Sequence, residues 1–194
     1  MIDNFLRPPR TATEWLADIA RVLATLLTFV LLFQLGIFEA GIMAFALPGL
    51  MLPKFMGLSG AADLFSVTVI LVAALSNIFG LYATIPGWDL VVHAVCTAVI
   101  ATIGYLLLAR LGLLPMPEAR EYTAAHGLIF STMIGLALGA AWEMVEWIGF
   151  RFTPADVMVD YDDTVTDLFA DALGALIAGA ALARLRVLKP PRDA

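Results

Sequence analysis

Asp160-Tyr161-Asp162-Asp163-Thr164-Val165-Thr166-Asp167-Leu168-Phe169-Ala170-Asp171 places five aspartates in 12 residues and runs directly into the apolar stretch 172–185. Asp163, Asp167 and Asp171 recur every four residues, a spacing that stacks them on one face of a helix. Whether that helix lies in water or in lipid depends on the company it keeps. Of the 194 residues, 61% are hydrophobic and 14% charged, against about 45–50% and about 25% in soluble domains. An integral membrane protein is therefore expected, with the lipid bilayer as its first partner and a carboxylate ladder at the mouth of one of its spans.

Working outward from the ladder, six apolar segments emerge. They cover about 14–38, 40–55, 62–82, 88–114, 124–150 and 163–188. A polar arm, 1–13, precedes them with Arg7, Pro8, Pro9 and Arg10, and a polar tail, 189–194, follows. The leader holds Asp3, Glu14 and Asp18 before the first apolar run, so that run reads as a retained anchor rather than a cleaved signal. The early turns of the first segment, with Asp18 and Arg21, are expected at the membrane interface. The second segment is the ambiguous one. It carries Pro48 and Pro53 and falls short of the roughly 20 residues of a straight span, so it either crosses or re-enters as a hairpin.

Charge arbitrates the count. Lys and Arg gather in cytoplasmic loops. Arg7, Arg10 and Arg21 lie at one end of the chain, and Arg184, Arg186, Lys189 and Arg192 at the other. Six spans put both ends inside, together with Lys54, Arg110 and Arg120, and leave Arg151 outside. The expected fold is an all-α, polytopic transmembrane helix bundle of about six spans, with both termini cytoplasmic. It is expected as one bundle over 14–188, flanked by the cytoplasmic arm 1–13 and tail 189–194. The net charge of −6 sits in a few acidic clusters. No basic and aromatic surface is interleaved as nucleic-acid binding requires. The single cysteine, Cys96, excludes an internal disulfide and a cysteine-only metal site.

The same topology collects polar groups at one depth. Trp88, Asp89 and His93 fall in the outer turns of segment four, Glu143 and Glu146 in those of segment five, and Asp163, Asp167 and Asp171 in those of segment six. Asp89 and His93 are four apart and Glu143 and Glu146 three apart, so each pair shares a helix face. A lone charge at the centre of a spanning helix costs roughly 2.5–3.5 kcal/mol on insertion scales. Several carboxylates together need either a bound cation or protons to hold them. Asp89, His93, Glu143, Glu146, Asp163, Asp167 and Asp171 are therefore the candidate metal ligands, and Glu143 and Glu146 the candidate catalytic residues. An oxygen-rich set with one imidazole suits Mg²⁺, Mn²⁺, Ca²⁺, Fe²⁺ or Zn²⁺. Paired acids and a histidine inside a bundle parallel the di-metal carboxylate proteins in chemistry, though not in spacing.

Plainer roles compete. Asp163 can cap segment six, with Thr164 and Asp167 as a capping-box-like pair, and Asp89 can cap segment four. Trp88, Trp142 and Trp147 fit an interfacial belt. His126 is expected to be structural. Gly135 and Gly139, and Gly174, Ala178 and Gly179, read as close helix packing. Glu143 and Glu146 resist such accounts, because they lie within an apolar span between Trp142 and Trp147.

Trp88-Asp89-x-x-x-His93, Trp142-Glu143-x-x-Glu146-Trp147 and Asp163-Thr164-x-x-Asp167-x-x-x-Asp171-x-x-Gly174-Ala175 together resemble the signature of the YjdF-like family of bacterial inner-membrane proteins. The resemblance covers about 60–180. It implies a multi-pass protein of the bacterial inner (cytoplasmic) membrane with these acids and His93 as the shared set, and it supplies no substrate. Three functions fit the residues: a metal-dependent enzyme acting at the outer face on a lipid or envelope substrate, a cation or proton transporter, and a non-catalytic subunit or assembly factor.

Overall fold

A computed structural model describes residues 1–152 and 160–190. Among them the chain is all-helical, without a strand: α1 (Ile2–Phe5), α2 (Ala12–Gln34), α3 (Ile37–Met56), α4 (Gly60–Ile78), α5 (Leu81–Thr84), α6 (Trp88–Arg110), α7 (Ala124–Phe152) and α8 (Tyr161–Arg184). Six of these, α2, α3, α4, α6, α7 and α8, are long and apolar enough to cross a membrane. On α2 the side chains of Val22, Leu23, Leu26, Phe29 and Val30 are exposed, as on a helix solvated by acyl chains. The ambiguous second segment is the unbroken helix α3, which runs 20 residues through both prolines. Its sequence looked too short because the helix begins earlier than the apolar run. Gly36, with φ of 128°, ends the preceding segment and starts α3 at Ile37, whereas the first segment was expected to continue to 38.

The chain packs as two compact units, Met1–Pro86 with the chain from Arg186 onward, and Gly87–Leu185. In the first, α2, α3 and α4 pack around Ala17, Ala24, Leu31, Met43, Leu50, Val67 and Ala74. Arg21, in the early turns expected at the membrane interface, points into the unit rather than outward. Its position continues the seam of Glu14, Ala17, Ala24 and Leu31, so the helix turns it inward. There its Nη1 bonds Asp18 at 2.9 Å, its Nε donates to the Leu50 carbonyl at 2.8 Å, and its Nη2 pairs with Asp63 on α4. Lys54 closes the network on Asp18 at 2.6 Å. The tail joins this unit. Ser59 N–H donates to the Val187 carbonyl at 2.8 Å, Lys189 N–H donates to the Gly57 carbonyl at 2.9 Å, and Lys189 Nζ pairs with Glu14 at 2.7 Å. The last four residues of the tail, Arg192 included, lie outside the described residues.

The second unit is built from α6, α7 and α8, and each carries a stripe at four-residue spacing. Asp89, His93, Thr97 and Ala101 lie along α6, Gly127, Ser131, Gly135, Gly139 and Glu143 along α7, and Asp167, Asp171, Ala175 and Gly179 along α8. Rows at this spacing are the ridges that interlock between helices, and small residues let backbones approach. A Cβ on Gly174 would collide with the Ala94 main chain, on Gly135 with Ala175 and Thr97, and on Gly179 with the Gly127 carbonyl. The order of these contacts makes α6 and α8 parallel and α7 antiparallel to both. At the far end of α7, His126 is tied into the first turn, where its Nδ1 accepts from Thr123 N–H at 3.1 Å.

Candidate metal centre

The three stripes are small or apolar at one end and acidic at the other. The start of α6, the end of α7 and the start of α8 therefore converge with their polar ends together. Small residues at Gly135 and Gly139 bring α7 against α8, and one turn further the same stripe delivers Glu143 to the acids. Neither Asp89 nor Asp163 caps its helix as expected. Gly87 stands at the N-cap of α6 and makes no side-chain bond. Asp160 caps α8, its Oδ1 accepting the Asp163 N–H at 2.9 Å. In α8 the capping requirement is met upstream, so the side chains of Asp163 and Asp167 are not needed for it.

Two groups of ligand atoms gather around His93. Asp89, His93 and Asp167 form one, and His93, Glu143 and Glu146 the other, with the atoms of each group within 4.8 Å of one another. His93, Glu143 and Asp167 are buried, with relative exposures of 6%, 8% and 1%, while Asp89 and Glu146 are half-exposed. The centre thus has a closed floor and an open rim. Among the described residues, Asp167 Oδ2, Glu143 Oε1 and Asp171 Oδ2 are buried oxygens without a hydrogen-bond partner. Buried polar atoms in native proteins are overwhelmingly paired, so these three oxygens near one imidazole form a concentrated surface that a cation or protons could satisfy.

Asp163 and Asp171 stand apart from both groups. Asp163 is half-buried, one turn outward from Asp167. Asp171 lies beneath, its Oδ1 3.2 Å from His93 Nδ1 and accepting the Thr97 hydroxyl at 2.5 Å. Sequence reading missed Thr97. The signal for Thr97 was its place four residues after His93. Gly139 makes room for Asp171, since a Cβ there would meet the aspartate side chain. Replacing Gly139 with alanine is expected to displace Asp171 from His93 and Thr97. The melting temperature should fall, and thermal unfolding beside the wild type checks it.

Residues 15–187 match the family described as "Predicted membrane protein (DUF2238)". The chain belongs to the DUF2238 family of predicted membrane proteins. The match takes in all six long helices of this DUF2238 protein and every residue of the centre. No curated protein and no solved structure matches it.

Proposed function

We propose that the end of the second unit is a divalent-cation site, and that it serves a metal-dependent membrane enzyme acting on a lipid or envelope substrate. The observation that carries the reading is Asp167. Its side chain is buried, with a relative exposure of 1%, and its Oδ2 has no hydrogen-bond partner among the described residues, beside Asp89 and His93. Oxygen donors with a single imidazole nitrogen suit Mg²⁺, Mn²⁺, Ca²⁺, Fe²⁺ or Zn²⁺. Asp89, His93 and Asp167 would hold the ion, joined by Glu143 or Glu146. When bound, the ion would activate water or polarise a phosphoryl or ester oxygen. Glu146, on the open rim, is placed to take a proton from a group entering the site, and Glu143, deeper, to hold the ion's far side.

Two further observations support an enzyme over its alternatives. Trp142 and Trp147 flank the glutamates and are exposed, as in a belt at headgroup depth, where lipid phosphates and esters lie. By the charge rule this is the outer, periplasm-facing side of an inner membrane. The half-exposed rim suits a site that exchanges ligands better than a closed structural clamp. A helix broken at Pro48 and Gly49 would favour transport, and α3 is continuous there.

Metal analysis of protein purified without chelators tests the site. Wild type is expected to carry close to one equivalent. Asp167→Asn, nearly isosteric but one charge fewer, is expected to retain little. Wild type free of stoichiometric metal would sink the proposal.

A further inference from the structure

We infer that the centre takes a single divalent cation, bound by one nitrogen, His93 Nε2, which Asp171 and Thr97 hold in place as positioning residues. The inference rests on the cation reading above and deepens it.

The two imidazole nitrogens are chemically distinct, and the bond made by one fixes the role of the other. His93 Nδ1 lies 3.2 Å from Asp171 Oδ1. With Asp171 accepting at that oxygen, the neutral ring that a metal requires has its proton on Nδ1 and its lone pair on Nε2. Nε2 is the nitrogen on the Asp89 side, 3.8 Å from Asp89 Oδ1. The supporting carboxylate is itself pinned. Thr97 donates to the same Oδ1 at 2.5 Å, and Asp171 fills the space that Gly139 leaves on α7. A carboxylate bonded behind a metal-binding imidazole sets its tautomer and orientation and raises its basicity. Asp171 does this here, and it belongs to neither ligand group.

Stoichiometry follows. Both ligand groups include His93, and with Nδ1 committed to Asp171 the ring has one lone pair to give. The groups cannot be completed as two separate His-ligated ions. Asp89, Asp167, Glu143 and Glu146 would instead share the one ion that Nε2 binds, with Asp89 the acid shown beside that nitrogen. This differs from the di-metal carboxylate bundles, in which two Glu-x-x-His motifs supply a histidine each.

The test uses the full chain in detergent, stripped of metal and titrated with Mn²⁺ or Zn²⁺. Wild type is expected to bind one equivalent, with a single imidazole nitrogen coupled to Mn²⁺ in pulsed electron paramagnetic resonance. In ¹⁵N-histidine-labelled protein loaded with Zn²⁺, His93 should show protonated Nδ1 and metal-bound Nε2. His126→Asn, removing the only other histidine, assigns the signals. Asp171→Asn should weaken binding about 10–100-fold while one equivalent is kept. Thr97→Val should weaken it less, and decides the matter if Asp171→Asn does not fold. Two equivalents, metal on Nδ1, or unchanged affinity in both variants overturns this inference and leaves the cation reading standing. A wild type that takes up neither ion overturns both.

Discussion

Arg21→Met is expected to lower the stability of the protein by about 3–5 kcal/mol, the cost of removing one partner from a buried ion pair. Arg21 is 4% exposed and Asp63 1% exposed, so the substitution leaves a carboxylate with no water to turn to. It also removes the donor to the Leu50 carbonyl. That carbonyl lies in the turn before Pro53, whose missing N–H already leaves the α3 backbone short of a bond. The methionine chain roughly replaces the arginine stem, so lost packing is a minor part of the effect. The discriminating measurement is a cycle. Arg21→Met with Asp63→Leu removes both charges and is expected to recover most of the loss, since apolar replacement of a whole buried pair is often neutral or stabilising. Thermal or denaturant unfolding in one detergent reads all four proteins. A single variant as stable as wild type would show that Asp63 does not depend on Arg21.

Gly174→Ala pits two effects of opposite sign against each other. Alanine favours a helix interior over glycine by about 1 kcal/mol. Against this, its Cβ would overlap the carbonyl of Ala94 on α6, and a main chain cannot step aside as a flexible side chain can. Overpacking of this kind costs about 1–3 kcal/mol, occasionally more. The clash is expected to win, forcing α8 from α6 and separating Asp171 from His93 and Thr97. Gly41→Ala is the control, because a Cβ there meets nothing within 4 Å. It should be neutral or slightly stabilising. Equal melting temperatures for the two variants would refute the close approach of α6 and α8.

These cases show where the sequence was legible. The six long helices follow from apolar length, which the bilayer imposes whatever the packing. Asp89, His93, Glu143, Glu146 and Asp167 were legible as a set because acids in apolar spans are costly and therefore informative. Their ranking was not. Asp171 and Asp167 stand on one face at equal spacing, and only the neighbouring helices distinguish them: Thr97 and His93 claim Asp171, while Asp167 keeps an unpaired oxygen. The inward direction of Arg21 was missed for a related reason. One charge in an early turn looks interfacial, yet the spacing of Glu14, Ala17, Arg21, Ala24 and Leu31 already marked the inward seam. What no single segment could reveal was the partner, Asp63, 42 residues away.

The pairing of Lys189 with Glu14 has a consequence for biogenesis. A ribosome delivers Glu14 early and Lys189 only after all six long helices have been made. Throughout that interval the first unit has its three long helices but lacks the segment that bonds Ser59, Gly57 and Glu14. Its completion therefore waits until α8 has been made, however early its helices enter the bilayer. A chain stopped after α8 would lack these bonds to Ser59, Gly57 and Glu14 for its lifetime.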